Sequence, residues 1–187
     1  MRQSLRDASA PGSLAGEAGG QVVELPGAGG LITGLHHFSI ACADADRSIA
    51  FYRDLFGMRL IADREVARGG FVQDVTGVQG ARVRIVHLQG HGLNFELLEY
   101  KEPRGDTRAR ELNHAGSAHL CFTTDDLAAT CAALALRGVT VRSRDNAPVT
   151  VVGGPNDGGK GLYVEDPDGN GVEIIQLARP WPQDRDQ

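Results

Sequence analysis

Between residues 35 and 100, hydrophobic and polar positions first alternate, then recur at helical spacing, and then alternate again. Leu35–Cys42 is typical of a strand, with large apolar side chains on one face and His37 among small or polar residues on the other. Asp44–Phe56 has apolar residues three or four positions apart, an acidic start and Gly57 as a stop, so the pattern predicts a helix. Strand-like runs follow at Arg59–Val66, Arg82–Gln89 and Leu93–Tyr100.

The same order of elements begins again after a charged segment. Ser117–Thr123 alternates, with His119 on its polar face, and Asp125–Arg137 has helical spacing with Gly138 as its cap. The last two strand-like runs are joined by the turn sequence DPDGN. The pattern therefore predicts an internal repeat of one strand, one helix and three strands. The three strands of the second copy are expected at Val139–Arg144, Gly161–Glu165 and Gly171–Leu177.

This repeat divides the chain into two modules, a linker and two tails. The first thirty residues are rich in glycine, contain no aromatic residue and show no sustained period, so we expect a flexible tail. The last residues are polar and interrupted by proline. The expected segments are a tail at 1–30, a first module at 31–100, a linker at 101–114, a second module at 115–179 and a tail at 180–187.

Composition and charge exclude several classes of protein. A chain of 187 residues is the size of about one domain. A formal net charge of −5 argues against nucleic acid as a partner. No apolar run is long enough to cross a membrane, and the N-terminus lacks the apolar region of a secretory signal. The three cysteines form no CxxC motif, which argues against a disulfide framework and favours a cytoplasmic protein.

One histidine and one glutamate recur at similar positions in the two copies of the repeat. His37 and His119 lie near the start of the first strands, and Glu96 and Glu173 lie in the last strands. A single strand histidine is more often a hydrogen-bonded core residue, and a single strand glutamate usually faces solvent, as we expect for Glu99. The twofold recurrence instead favours one divalent ion, Ni, Co, Mn, Fe or Zn, bound by imidazole and carboxylate without thiolate.

Three segments resemble a known family. GLHHFSIACADADRSIAFYRDLFGMRL resembles the opening module of the vicinal oxygen chelate superfamily, which includes glyoxalase I. GSAHLCFTTDDLAATCAALALRGV is similar to the second opening, and YVEDPDGNGVEIIQ is similar to the closing hairpin. The resemblance covers residues 31–179. It implies an α+β fold of two tandem βαβββ modules, whose curved mixed sheets form a cup around a metal site.

The resemblance also implies a set of four metal ligands. His37 matches the first ligand, Glu96 the second, His119 the third and Glu173 the fourth. His36 is the rival for the first place, but the alternation of the strand puts it on the apolar face. A glutamate at the second place favours relatives that move protons, in which Glu96 and Glu173 would be the catalytic carboxylates.

The implied function is a divalent-metal-dependent isomerase, epimerase or lyase of the glyoxalase type. It would move a proton on the carbon next to a metal-polarised carbonyl of a small-molecule substrate. Glutathione adducts, thioesters and sugar-like or cyclitol ketones all remain open as substrates. A homodimer is expected, and the site lies either within one chain or across the dimer.

Two other functions of the same fold stay open. One is a metal-free drug-binding module of the bleomycin-resistance type, which the presence of all four ligand types argues against. The other is an Fe-dependent extradiol-type dioxygenase, which requires Glu96 to point away from the ion.

Five further residues are weaker candidates for the site. His87 and His91 lie near Glu96 in sequence, where they either line the cup or have surface and turn roles. Arg82 and Arg84 either hold an anionic group of the substrate or belong to a solvated strand edge. Cys121 shares the face of His119 and is expected to line the pocket rather than to act as a nucleophile.

Overall fold

The computed structural model describes residues 34–108 and 111–180, so nearly all of the two expected tails lies outside the described residues. The first module contains β1 (Phe38–Ala41), α1 (Ala45–Phe56), β2 (Arg59–Val66), α2 (Phe71–Thr76), β3 (Arg82–Gly90) and β4 (Leu93–Glu102). The second module contains β5 (Leu120–Thr123), α3 (Leu127–Ala135), β6 (Val149–Thr150), β7 (Lys160–Glu165) and β8 (Gly171–Gln176).

Each module forms its own four-stranded mixed sheet. The strand orders are β1-β4-β3-β2 and β5-β8-β7-β6, and the first strand of each module runs parallel to the last. The predicted α+β fold with two βαβββ modules is therefore confirmed. The two sheets remain separate in hydrogen bonding, so together they do not form one closed barrel.

The predicted first helix forms as its end signals indicate. The Asp44 side chain accepts a hydrogen bond from the Arg47 backbone N–H at 3.1 Å, which satisfies a free donor of the first turn. Gly57 ends the helix with φ of 65°, a left-handed conformation that glycine adopts without steric penalty. The buried side of α1 carries Ile49 and Tyr52, which anchor it to the core.

The second module departs from the sequence prediction in two places. Helix α3 has Leu136 as its C-cap, and Gly138 follows two residues later with φ of 71°. The strand predicted at Val139–Arg144 is wrong: the segment makes only an isolated bridge between Val141 and Val164 and then enters a 3₁₀ turn. The left-handed conformation of the two residues at 145 and 146 interrupts the extended chain, and the outer strand is β6.

One hydrophobic core joins the two modules. Apolar side chains of β3, β4 and α1 pack in the same cluster as apolar side chains of β7 and β8. In both sheets the alternation of the strands puts these residues on one face, and the histidines and glutamates of the repeat on the other. The largest fully buried members are Tyr52, Phe95, Met58, Leu88, Leu97, Leu127 and Leu162.

A short helix covers one end of the polar face of the first sheet. Helix α2 places Val72 against Val83 and Ile85 in a second, smaller apolar cluster. The sequence did not indicate this helix, because six residues are too few to show a helical period.

Polar contacts between α1 and the DPDGN turn fasten the modules to each other. The Tyr52 hydroxyl donates to the Asp166 carboxylate at 3.0 Å, and both side chains are buried. On the surface, Arg47 donates to Asp168 at 2.8 Å. No helix among residues 34–108 and 111–180 is long and apolar enough to cross a membrane.

Candidate functional site

The first candidate pair lies on the polar face of the first sheet. His37 immediately precedes β1, and its Nε2 is 3.5 Å from Glu96 Oε1 on the neighbouring strand β4. His87 Nε2 on β3 lies 3.5 Å from the other oxygen, Glu96 Oε2. The Glu96 carboxylate thus stands between two imidazoles and is largely shielded from solvent, with 13% of its side chain exposed.

The second candidate pair lies on the polar face of the second sheet. His119 Nε2 is 3.2 Å from Glu173 Oε2 on β8. The Tyr163 hydroxyl on β7 donates to the same carboxylate oxygen at 3.1 Å and lies 3.1 Å from His119 Nε2. The three side chains therefore form one hydrogen-bonded cluster.

Strand register makes the two clusters structurally equivalent. Ser39 of β1 is paired with Glu96, as Cys121 of β5 is paired with Glu173. His37 lies two residues before Ser39, and His119 lies two residues before Cys121. The position opposite the glutamate on the adjoining antiparallel strand is His87 in the first module and Tyr163 in the second.

The structure does not bring the two clusters together. His37 meets Glu96 and His119 meets Glu173, but no contact joins one pair to the other in the described part of the chain. Across residues 34–108 and 111–180, no group of three or more His, Cys, Asp or Glu side chains is arranged so that it could hold a metal ion. The four-ligand set therefore stays a prediction.

The neighbours of the two glutamates differ from the sequence expectation. His87 contacts Glu96, whereas the sequence favoured a surface or turn role for it over a place in the cup. Sequence reasoning missed Tyr163. The DPDGN turn was a usable signal, because a tight turn sets the hairpin register that places Tyr163 opposite Glu173. His91 has a turn role: its φ is 53°, and its Nε2 lies 2.6 Å from the Phe56 carbonyl oxygen.

The expected basic face of β3 is neutralised by the chain's own carboxylates. Arg84 donates to Asp63 at 2.7 and 2.9 Å and to Asp46 at 2.8 Å, and these bonds hold the pKa of both carboxyl groups below the usual range. Arg82 pairs with Glu65 at 2.5 Å. Strand β3 is also an interior strand, so the solvated-edge interpretation is wrong.

Glu99 was expected to face solvent, and this expectation is wrong. Only 5% of the residue is exposed, because Glu99 points to the core face of β4, the same face as Phe95 and Leu97. Its carboxylate accepts hydrogen bonds from Lys101 Nζ at 2.5 Å and from the Ala45 backbone N–H at 3.3 Å. Pairing and hydrogen bonding compensate the burial of the charge.

Burial and a nearby carboxylate keep the Tyr163 phenol and the Cys121 thiol protonated. Desolvation first, and then the charge of Glu173, raise the pKa of Tyr163 to about 12. The same two causes, in the same order, raise the pKa of Cys121 to about 12. Both groups are therefore protonated at neutral pH. Tyr163 is a hydrogen-bond donor there, and Cys121 is not a thiolate nucleophile.

Imidazole nitrogens and carboxylate oxygens are donor atoms that suit divalent first-row transition metals such as Mn, Fe, Co, Ni and Zn. Each cluster offers one imidazole nitrogen and one carboxylate oxygen already within 3.5 Å of each other, and no ligand position is a thiolate. A second contact to each glutamate, from His87 or Tyr163, orients the carboxylate as partners of metal ligands commonly do.

Two linked βαβββ modules, each with a histidine–glutamate pair on the face opposite a shared core, define a paired-module fold with half of a candidate metal site on each module. Residues 34–174 match the model of the Glyoxalase/Bleomycin resistance protein/Dioxygenase superfamily, and the chain belongs to this superfamily. The resemblance found in the sequence is thereby confirmed.

Individual relatives include lyases and an epimerase. The chain is 28% identical over 146 residues to a lactoylglutathione lyase of Haemophilus influenzae, covering 75% of this chain and 90% of the relative. It is 28% identical over 163 residues to a 2-epi-5-epi-valiolone epimerase of Actinomyces sp., covering 84% and 85%. A glyoxalase family protein of Bacillus cereus has a similar fold, with a TM-score of 0.66, 19% identity, and coverage of 80% and 97%.

Proposed function

We propose that the chain is a cytoplasmic, homodimeric, divalent-metal-dependent enzyme that moves a proton on the carbon next to a carbonyl group of a small molecule. The observation that carries this proposal is the equivalence of the two histidine–glutamate pairs. Both pairs occupy the same register position on the polar face of their sheets. Two unrelated structural pairs have no reason to coincide in this way.

In this proposal the metal ligands are His37, Glu96, His119 and Glu173. Since the described part of one chain does not join the pairs, we propose that the first pair of one chain meets the second pair of its partner in a twofold dimer. Each dimer then contains two equivalent sites. Each site consists of one first-module pair and one second-module pair.

The bound ion would polarise the substrate carbonyl and stabilise the negative charge that develops on its oxygen. The two glutamates are the bases that accept and return the proton on the adjacent carbon. Tyr163 holds Glu173 through its donated hydrogen bond, and His87 is placed to do the same for Glu96. Return of the proton to the same carbon from the opposite face gives epimerisation, and return to the neighbouring carbon gives isomerisation.

The named relatives suggest two substrate types for a first comparison. One is lactoylglutathione, as the name of the lactoylglutathione lyases indicates. The other is a cyclitol ketone, as the epimerase indicates. Both place an exchangeable proton next to a carbonyl group, so both fit the same arrangement of bases.

The test combines metal analysis with solvent deuterium exchange. We expect about one divalent ion per chain in the wild type, its loss in His119→Ala, and deuterium exchange next to the carbonyl of one substrate type. Glu96→Gln and Glu173→Gln should each abolish turnover. Glu65→Gln, on the opposite edge of the first sheet, is the matched control and should keep it.

Two outcomes would point to another function. Full turnover in both Glu→Gln variants would exclude the proposed chemistry. Failure of the wild type to take up any divalent ion would leave a metal-free drug-binding module, whereas oxygen consumption with catechols would indicate the dioxygenase alternative.

A further inference from the structure

A cavity of about 450 Å³ runs along β1 and separates it from the segment that connects the modules. It is lined by residues 38–43 and by residues 104–108 and 116–118. Asn170 and Gly171, where β8 begins, also line it. The volume lies in the range of pockets that hold small molecules.

Among residues 34–108 and 111–180, one positive charge of this cavity has no partner. Arg108 donates to Asp106 at 2.6 Å, and Asp168 is paired with Arg47 at 2.8 Å. The fourth charged residue that lines the cavity is Arg104. Its guanidinium group has no hydrogen bond or ion pair with any residue that the structure describes. The cavity is therefore suited to an anion.

The cavity adjoins the first candidate pair. Ser39 lines it and is the register partner of Glu96 on the neighbouring strand. Tyr100 also lines it and lies on the same face of β4 as Glu96, four residues further along. Ser39 Oγ is buried and lacks a hydrogen-bond partner among the described residues, which marks the end nearest Glu96 as incompletely satisfied.

We propose that this cavity is the subsite for an anionic group of the substrate and that Arg104 binds this group. The ligand class is a small molecule bearing a carboxylate or phosphate, whose planar or tetrahedral oxygens match the fork of a guanidinium. The anion lies near Arg104, and the rest of the molecule extends past Ser39 toward Glu96. The assignment as a substrate subsite rests on the proposed function, whereas the assignment as an anion site does not.

The test measures anion binding without metal or turnover. Succinate and inorganic phosphate, the two probes, are titrated separately into the dimeric wild-type protein and followed by NMR chemical shifts. We expect saturable binding of at least one probe, weakened about tenfold or more in Arg104→Gln and only a few-fold in Arg104→Lys. Preference for one probe distinguishes a carboxylate ligand from a phosphate ligand. Arg64→Gln, which removes another exposed arginine from the far strand β2, is the control and should bind normally.

Turnover provides the second measurement. With an anionic substrate, Arg104→Gln should raise KM about tenfold and change kcat little, because the guanidinium binds a group remote from the reacting carbon. Saturable anion binding that persists when all turnover is absent would support the subsite while removing the proposed enzyme function. No saturable binding by the wild type, or equal binding by wild type and Arg104→Gln, would overturn the proposal.

Discussion

The hydroxyl group of Tyr163 donates a hydrogen bond to Glu173 Oε2 at 3.1 Å across the β7–β8 hairpin. The same hydroxyl lies 3.1 Å from His119 Nε2, so a single atom touches both members of the second candidate pair. Its raised pKa keeps the proton on the phenol at neutral pH. Tyr163 therefore positions the pair without adding a charge to it.

Removal of this hydroxyl should impair the site more than the fold. Tyr163→Phe is expected to lower metal affinity or kcat by about 10- to 100-fold, as is usual when a partner of a metal ligand is lost. Steady-state kinetics and elemental analysis measure the two effects. Tyr52→Phe, which removes a buried phenol hydrogen bond to Asp166 and touches neither pair, is the control for loss of a phenol. Unchanged metal content and kcat in Tyr163→Phe would contradict a positioning role.

A site shared between chains predicts complementation in mixed dimers. His37→Ala and Glu173→Ala should each be inactive alone. After unfolding and refolding together in equal amounts, half of the dimers combine one of each, and one of their two sites has both pairs intact. Activity should therefore return to about a quarter of the wild-type level. Size-exclusion chromatography checks that dimers have formed, and activity that stays at zero would argue for sites within single chains.

Sequence periodicity predicted those helices and strands that have one buried face and one polar or exposed face. The bounds of β2 agree fully with the prediction, and α1 differs by one residue at its start, since Asp44 is its N-cap. Helix α2 escaped detection because it is shorter than two turns. The strand expected at Val139–Arg144 failed because β propensity reports side-chain shape and not the left-handed residues that follow.

The contacts within each histidine–glutamate pair could be predicted from the sequence, but the arrangement of the two pairs relative to each other could not. The register that brings His37 to Glu96 joins the first and the last strand of the first module. The twofold recurrence in the sequence nevertheless revealed both pairs. The position of Tyr163 opposite Glu173 could have been predicted from the register of the β7–β8 hairpin. Whether the two pairs meet depends on the arrangement of whole modules or chains, which periodicity does not encode. The burial of Glu99 could have been predicted from the sequence, since Glu99 lies four positions after Phe95 and therefore on the same face of β4.

The contact between Tyr52 and Asp166 should stabilise the union of the modules. Tyr52→Phe removes a buried hydrogen bond of 3.0 Å to a carboxylate, and it leaves that carboxylate less well satisfied. We expect a loss of about 1–3 kcal/mol in the free energy of unfolding. Urea denaturation of Tyr52→Phe beside Tyr100→Phe measures it, because the latter phenol has no hydrogen bond among the described residues. Equal stability of the two variants would show that the contact contributes little.

The thiol of Cys42 should make stability fall with rising pH above about 9. Burial, and then the nearby Asp168 carboxylate, raise the pKa of Cys42 from 9.0 to about 12. Between these values the unfolded chain loses the thiol proton while the folded chain keeps it, so the unfolded state binds fewer protons. The free energy of unfolding then decreases by up to about 1.4 kcal/mol per pH unit from this group.

Comparison of the wild type with Cys42→Ala isolates this contribution. Urea denaturation at pH 8 and pH 10.5 gives the decrease for each protein. Other alkaline groups, including Tyr163, contribute equally to both proteins and cancel in the difference. We expect a decrease about 1–2 kcal/mol smaller in Cys42→Ala, whatever the stability that the variant loses at pH 8 through the cavity it creates. Identical decreases in the two proteins would mean that the folded state does not protect the Cys42 proton.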